Sequence, residues 1–249
     1  TLTMLSFSED QHFAKVLDYH SSGREVLWGY NCSAHPLAGF LQAEATALSF
    51  ASGYGGSERN PSAEGEHYEW QLAEQGSFAF LTETALEFQP SYTSAVAEAD
   101  TVWPGTLWML ERSISLSGHV TDACTNLPLS AAITVAGISY SNGEQNHSDG
   151  PFGRYHLFLP DGVYTVTFSA QGYASVDLRL TVAGSNATVA DVALKPLVPG
   201  GCWSDLGFAK RGVAGDPLLS GTGTLLSGDP QRCDLSSAAP SSTATLVAA

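Results

Sequence analysis

The sequence lacks several features that mark common classes of protein. No run of 18 or more apolar residues occurs in its 249 residues, so nothing in it predicts a helix that spans a bilayer. Basic residues are also few, since 10 lysines and arginines are outnumbered by 25 aspartates and glutamates, which gives a formal net charge of -15. An acidic surface repels nucleic acid and anionic membranes, so we expect neither as a partner.

Cysteine is scarce, and its four residues are widely spaced. No Cys-x-x-Cys pair is present, which argues against a zinc ribbon. Cys202 and Cys233 flank the C-terminal segment and could join it by a disulfide, whereas Cys124 has no obvious partner, and connectivity stays open. Scattered cysteines in a chain with little charge favour a secreted or extracytoplasmic protein. Three sequences fit the N-glycosylation acceptor pattern, at Asn31, Asn146 and Asn186.

Several catalytic signatures are absent as well. The sequence contains no Gly-x-Ser-x-Gly elbow, no P-loop and no dinucleotide fingerprint, so serine-hydrolase and nucleotide chemistry have no support. The 43% of hydrophobic residues, with 25 glycines and 12 prolines, predict a globular, turn-rich protein. The chain begins at Thr1 rather than at methionine and ends in the strand-like "SSTATLVAA", which we interpret as a fragment of a longer protein.

Residues 1–113 mix helix and strand signals. Pro36 and Gly53 bracket an amphipathic segment with the start and stop residues of a helix. Residues 77–83, "SFAFLTE", are short and apolar and predict a buried strand. Residues 92–112 predict a second helix kinked at Pro104. That helix carries four apolar residues on one face: Val96, Trp103, Leu107 and Leu110.

Residues 114–196 change to short alternating runs separated by turns. Six segments predict strands, and Pro160-Asp161-Gly162 predicts a hairpin turn between two of them. Alternation such as Tyr164, Val166 and Phe168 gives each strand one buried face, so we expect a small all-β sandwich. Residues 197–249 then read as a linker and the start of a further glycine-rich β segment.

This order of domains resembles a known family. "SGHVTDACTNLPLSAAITVAG" and "GRYHLFLPDGVYTVTFSAQGY" resemble the transthyretin-like regulatory module that follows the catalytic domain in carboxypeptidase D-type enzymes. Residues 1–113 resemble the C-terminal portion of a zinc metallocarboxypeptidase catalytic domain of the carboxypeptidase A/D superfamily. The fold implied is therefore α/β, a partial mixed-sheet domain, followed by an all-β sandwich.

The resemblance of residues 1–113 depends on a few spacings. The family has a strand that ends in a zinc-binding His-Ser and an aliphatic-aromatic run that closes on Gly-Tyr. Here these are His20-Ser21 and residues 26–30, two residues shorter than the usual form. The family also has an acidic-Trp pair fourteen residues ahead of the catalytic glutamate, and Glu69-Trp70 lies fourteen residues ahead of Glu83.

The resemblance implies zinc chemistry and assigns roles to this chain's residues. His20 is expected to bind Zn²⁺, which leaves a coordination position open for water, and Glu83 to act as general base and acid. Ser21 is expected to line the substrate cleft, with Tyr54 and Tyr68 as further substrate-binding candidates. The substrates implied are the C-termini of peptides or proteins.

Departures from the family pattern limit what the chain can do alone. None of the seven histidines has glutamate three residues later, and no upstream Asn-Arg clamp for a substrate carboxylate is present. We therefore expect that the isolated chain neither holds zinc tightly nor turns over substrate. Two alternatives stay open: a catalytically inactive carboxypeptidase-like binding protein, and a related zinc amidohydrolase or deacylase. Oligomeric state is left open.

Other polar clusters receive a plainer interpretation. "EHYE", residues 66–69, is expected to be a solvated loop or strand rather than a metal cluster. Asp149-Gly150 predicts a turn without calcium, because few carboxylates lie nearby in sequence. Three histidines of the predicted sandwich are expected to be structural or exposed: His119, His147 and His156.

Overall fold

The computed structural model describes residues 2–183, 186–197, 215, 218–222, 230 and 232–236. Its N-terminal part is a mixed sheet in the order β1-β4-β2-β3, packed with helices. The elements of this part are α1 Leu2–Gln11, β1 Lys15–Ser21, β2 Glu25–Leu27, α2 Ala38–Ala51, β3 Glu58–Arg59, α3 His67–Glu74, β4 Phe78–Thr84 and α4 Tyr92–Glu111. The predicted strand at residues 77–83 and the helix between Pro36 and Gly53 are confirmed as β4 and α2.

β4 is the centre of the N-terminal core. Phe78, Phe80 and Leu81 are fully or almost fully buried, as expected for a strand covered on both faces. β4 pairs in parallel with β1 and antiparallel with β2, so β1 lies at the edge of the sheet. The helix α4 contacts both α2 and β1.

Two predictions in this part are wrong in detail. Residues 66–69 are neither loop nor strand but open α3. Glu66 and Glu69 form a capping box in which the backbone N–H of Glu66 donates to Glu69 Oε2 over 2.9 Å. This reciprocal pairing satisfies backbone N–H groups at the start of the helix. An interpretation that assumed strand-like alternation of residues 66–69 could not detect it.

The second helix is confirmed as α4, but its apolar stripe faces outward. Ser91 caps its N-terminus, and the helix runs through Pro104 without interruption. It packs through Glu98, Val102, Gly105 and Met109. The predicted stripe is exposed instead, at Val96, Trp103, Leu107 and Leu110.

The second part is the predicted sandwich of two sheets. Its strands are β5 Leu116–Asp122, β6 Ala132–Val135, β7 Arg154–Leu157, β8 Gly162–Ser169, β9 Val176–Val182, β10 Thr188–Val189 and β11 Val192–Leu194. β5 pairs antiparallel with β7 and in parallel with β10 and then β11, while β6, β8 and β9 form the other sheet. The core between them includes Leu116, Tyr155, Val166, Phe168 and Leu194.

One predicted strand of the sandwich is broken. The segment "ATVADVAL" forms β10 and β11, which are interrupted at residues 190 and 191. Where it crosses β5, the carbonyl oxygen of Ala190 lies 2.1 Å from the position that a Cβ on Gly118 would take. A side chain at residue 118 would therefore displace the broken strand.

Beyond the sandwich, β12 Leu218–Thr222 and β13 Arg232–Ser236 form an antiparallel pair. The predicted strand at the end of the chain lies outside the described residues. Cys124, for which the sequence showed no partner, is disulfide-bonded. In the described part of the chain, no helix is long and apolar enough to cross a membrane.

Candidate active site

His20 and Glu83 lie opposite each other at the ends of two parallel strands. In the register of β1 and β4, His20 pairs with Glu83 and Ser21 with Thr84. Parallel strands end at the same edge of a sheet, so the two side-chain positions share that edge. His20 is exposed, and the hydroxyl of Thr84 donates to its backbone carbonyl over 2.8 Å.

Glu83 occupies a partly desolvated position between charges of both signs. Its Oε2 atom is buried and has no hydrogen-bond partner among the described residues. Burial raises the pKa of the Glu83 carboxyl above its usual value, and the nearby charges of His20 and Arg59 oppose that rise. Glu25 and Glu66 raise the pKa further by repulsion.

A salt bridge flanks Glu83 on the other side from β1. Glu25 is the register partner of Glu83 across β2 and β4, and Arg59 Nε donates to Glu25 Oε1 over 2.8 Å. Gly23 leaves room for this arrangement, since a Cβ there would lie 2.9 Å from Glu25 Oε1 and 3.1 Å from Glu83 Cβ. Sequence reasoning did not find the Glu25–Arg59 pair, because nothing in the spacing shows that β2 and β3 are neighbours.

Ser21, the predicted cleft residue, is adjacent to the pair. Its hydroxyl donates to the carbonyl of Phe88 over 3.0 Å and so connects the end of β1 to the loop after β4. His20, Ser21 and Glu83 are therefore brought to one edge of the sheet.

Tyr54 is held in a buried hydrogen-bond network. Its hydroxyl donates to Glu98 Oε1 over 2.7 Å, and the same carboxylate accepts from the backbone N–H of Ala85 over 2.9 Å. Arg24 Nε donates to both oxygens of Glu98 at 3.1 and 3.2 Å. Hydrogen bonding from Arg24, the largest effect, lowers the pKa of Glu98 to about 2. Sequence reasoning missed Glu98, which lies on an otherwise exposed stretch of α4.

Tyr68 does not line an open cleft. Its side chain is fully buried in the N-terminal core, and its hydroxyl has no hydrogen-bond partner among the described residues. Burial raises its pKa, with smaller contributions from Glu69 and Glu66. Access of a substrate to Tyr68 would require the core to open.

The described residues do not complete a zinc site. An imidazole at a strand end is a suitable ligand, but structural and catalytic zinc sites need three or four protein ligands. Among the residues that the structure places, no group of three or more histidine, cysteine, aspartate or glutamate side chains is arranged to hold a metal ion. His20 therefore fits as one ligand, and any others have to come from elsewhere.

Comparison with known proteins identifies the sandwich. A family described as the carboxypeptidase regulatory-like domain matches residues 115–195. This match supports the predicted regulatory module. Carboxypeptidase D of Anas platyrhynchos is 41% identical over 87 residues, which are 34% of this chain and 6% of that protein. The chain thus spans a small part of its relative, and the two similarities support the regulatory-like domain alone.

Similarity to solved structures is weak. A type II cohesin–X-dockerin complex from Acetivibrio cellulolyticus is 12% identical, with 36% of this chain and 63% of that chain covered and a TM-score of 0.25. (S)-allantoin synthase is 13% identical, with 68% and 71% covered and a TM-score of 0.26. Scores this low support no conclusion about fold or function.

Proposed function

We propose that this chain is the distal part of a secreted zinc metallocarboxypeptidase, with His20 as a zinc ligand and Glu83 as the general base. The observation that carries the proposal is the register pairing of His20 with Glu83 at the exposed end of β1 and β4. The regulatory-like domain at residues 115–195 supports the same family.

Glu83 has properties that suit a general base. Its pKa is raised by burial, which brings its proton affinity closer to that needed for transfer near neutral pH. Among the residues that the structure describes, its buried Oε2 atom has no partner that would compete for a proton. Bound zinc would supply an acidified water and polarise the scissile carbonyl. Glu83 would hold the water's proton and return it to the leaving amine.

The proposal requires zinc ligands from further polypeptide beyond these residues. Two features of the surface are consistent with contacts to such polypeptide. β1 is an edge strand, and edge strands pair readily with further strands. Large apolar side chains are exposed around α4 and the loop before it, including Phe88 at 71% and Trp103 at 56% exposure. Apolar surface of this kind is typically covered by other protein. The missing histidine and glutamate ligands and the carboxylate clamp would belong to that additional chain.

The second candidate is a carboxypeptidase-like binding protein without activity. It is favoured by the single candidate ligand, since the described residues provide no metal-binding group of three. In that case His20 and Glu83 would be remnants, and the sandwich would carry the function. A zinc amidohydrolase would share His20 and Glu83 but need no clamp for a terminal carboxylate.

Secretion is part of the proposal and has two supports. Cys124 is disulfide-bonded, and disulfides persist outside the reducing cytosol. Asn31 and Asn186, two of the glycosylation acceptors, are exposed. Asn146, the third, is half-buried and hydrogen-bonds Tyr140. We therefore expect glycans at Asn31 and Asn186 but not at Asn146.

The test uses the natural full-length protein that contains this chain. We expect one zinc per chain and release of the C-terminal residue from a blocked dipeptide, but not from its C-terminal amide. His20→Ala should lose zinc, whereas Glu83→Gln should keep it and lose kcat by about 10²–10⁴-fold. Glu87→Gln, which changes an exposed glutamate four residues away, is the matched control.

Three results would overturn the proposal. A zinc-free, inactive protein would favour the binding protein. Equal turnover of the amide would favour the amidohydrolase. Full zinc content in His20→Ala would remove His20 from the ligand set.

A further inference from the structure

Four of the seven histidines lie where the N-terminal part meets the sandwich. His12 and His35 belong to the N-terminal part, and His147 and His156 to the sandwich. His12, His35 and His156 are buried, and His147 is half-buried. Imidazole is the side chain whose charge ordinarily changes between pH 5 and 8, so its concentration at one contact couples that contact to pH.

Three of these rings form one cluster. The ring centroids of His12 and His147 are 4.7 Å apart with an interplanar angle of 18°, and those of His12 and His156 are 4.5 Å apart with an angle of 42°. His12 Nε2 lies 3.2 Å from the carbonyl oxygen of Gln75, to which it donates. One nitrogen of each ring is buried without a hydrogen-bond partner among the described residues: His12 Nδ1, His147 Nδ1 and His156 Nε2.

The geometry favours protons over a metal ion. The nearly parallel rings of His12 and His147 direct their lone pairs in parallel planes, whereas metal ligands direct them at one point. Among the residues that the structure places, no three side chains of this cluster are arranged to hold a metal ion. A free lone pair on each ring instead provides a site that a proton would occupy if water reached it.

The nearby charges are committed to other partners. Asp149 accepts from Arg154 Nε and from the backbone N–H of Phe152, both over 2.7 Å. Arg154 also donates to the carbonyl of Gln11 over 3.1 Å, and its positive charge lowers the pKa of His156. In the opposite direction, Asp149 raises the pKa of His12 and His147, and Glu74, which accepts from Gln145 Nε2 over 3.1 Å, raises that of His147. Burial outweighs these carboxylates, so the pKa of all three histidines stays below the ordinary value.

His35 adds a second proton-sensitive point on the same contact. Its ring lies between those of Tyr30 and Tyr140, at 5.7 and 6.3 Å. Its Nδ1 accepts the backbone N–H of Leu37, the N-cap residue of α2, over 3.0 Å. A proton on Nδ1 would abolish that hydrogen bond. Glu144 is the nearby carboxylate that would favour the charged form.

Two further interactions join the sandwich to the N-terminal part. Phe158 of the sandwich stacks on Phe78 of β4 at 4.5 Å and 14°, and the backbone N–H of Gln145 donates to the carbonyl of Ala73 over 2.7 Å. We propose that this histidine cluster is a pH-sensitive latch, which holds the sandwich on the N-terminal part at neutral pH and releases it when the histidines take up protons from acidic solvent.

The direction of the effect follows from linkage. Burial lowers the pKa of His12 and His35 to about 4 and that of His156 to about 3, while exposed imidazoles have a value of about 6.5. Between these limits the released state binds more protons than the latched state. The contact is therefore fully stable above about pH 7 and weakens as the pH falls toward 4.

Amide hydrogen exchange of Gln145 tests the latch, because its N–H makes a hydrogen bond across the contact. After correction for intrinsic exchange, its protection in the whole chain should fall by about a hundredfold or more between pH 7.5 and 5.0. Amides of β8, inside the sandwich, should keep their protection. Equal protection of Gln145 at the two pH values would overturn the proposal. A loss of protection in the β8 amides together with that of Gln145 would overturn it as well.

Two variants separate the cluster from histidine in general. In the double variant His12→Gln, His147→Gln, the protection of the Gln145 amide at pH 5.0 should be at least roughly threefold above that of wild type. Two of the titrating groups have then been removed. His119→Gln, in the same sandwich but with an exposed side chain, should behave as wild type. Recovery in His119→Gln, or no recovery in the double variant, would contradict the latch.

A measurement on the unmodified chain covers the case of a variant that does not fold. The slope of log protection of Gln145 against pH counts the protons taken up on release, and between pH 6 and 5 it should be about two or more. A slope of zero would overturn the proposal. A rise in the protection of Gln145 on addition of one equivalent of Zn²⁺ at pH 7.5 would also overturn the proposal. It would show that the histidine rings converge on a metal ion.

Discussion

His20 and Glu83 are register partners in a parallel strand pair. The relationship places a candidate metal ligand and a candidate general base at one edge of a sheet, although 62 residues separate them in sequence. A slip of one residue would turn one of the two side chains to the opposite face. The parallel ladder that holds this register extends over seven residue pairs, from Lys15–Phe78 to Ser21–Thr84.

The first prediction is that the Glu83 carboxylate reduces the stability of the fold. Its carboxylate is partly desolvated, and its Oε2 atom has no partner among the described residues. Glu83→Gln should therefore raise the free energy of unfolding by about 0.5–1 kcal/mol at pH 7, as measured by urea denaturation. Because the folded pKa is raised, the gain should disappear as the pH falls below the unfolded value of about 4.5.

The matched control is Glu87→Gln, where the side chain is exposed. Its stability should stay within about 0.5 kcal/mol of wild type at both pH values. A Glu83→Gln variant that is less stable than wild type at pH 7 would contradict the proposed cost of desolvating the Glu83 carboxylate.

The second prediction concerns the hydrogen-bond network of Glu98. Tyr54→Phe removes one donor and should cost about 1 kcal/mol, whereas Glu98→Gln weakens three interactions and should cost about 2–3 kcal/mol. Glu98 has a lowered pKa, so its contribution is present above about pH 4.5 and is lost toward pH 2.

Thermal melts at pH 7 and pH 3 provide the measurement. The difference between wild type and Glu98→Gln should shrink at the lower pH, because at pH 3 the Glu98 carboxyl takes up a proton in the unfolded chain while the folded carboxylate still keeps its charge. A cost for Tyr54→Phe that equals that of Glu98→Gln would show that Tyr54 alone carries the network.

The third prediction addresses the exposed stripe of α4. Trp103, Leu107 and Leu110 are exposed on one side of a helix that packs against the edge strand β1. The chain alone should self-associate at high concentration, and Leu107→Glu should reduce that association. Sedimentation velocity across a concentration series measures it. Leu127→Glu, an exposed leucine of the sandwich, is the control. A strictly monomeric wild-type chain would contradict the prediction.

The fourth prediction is that the chain alone does not retain zinc. One imidazole cannot form a tight site, and the placed residues offer no group of three. After dialysis, metal analysis should find well under one zinc per chain. Stoichiometric zinc that depends on His20 would show that the ligand set is complete within these residues.

The sequence predicted the elements whose patterns are local. β4 is a continuous apolar run, α2 has its start and stop residues, and the sandwich strands alternate with turn residues between them. In contrast, the orientation of α4 depends on what it packs against. Glu98 is buried because Arg24, Tyr54 and the amide of Ala85 surround it, and none of these is near in sequence.

The candidate site was predictable only through resemblance. Periodicity alone could not pair His20 with Glu83, because strand order depends on long-range contacts. Similarly, the histidines of the latch looked unremarkable in sequence, since His12 and His156 are 144 residues apart. The short capping box of α3 was missed because two glutamates with a histidine and a tyrosine between them resemble a solvated segment.

The coding sequence that precedes Thr1 in the natural gene tests the central claim most directly. The account predicts that it continues in frame and encodes His-x-x-Glu followed by Asn-Arg, which would complete the metal site with His20 and provide the carboxylate clamp. A preceding sequence that lacks these residues, or replaces them, would contradict the carboxypeptidase assignment of His20 and Glu83.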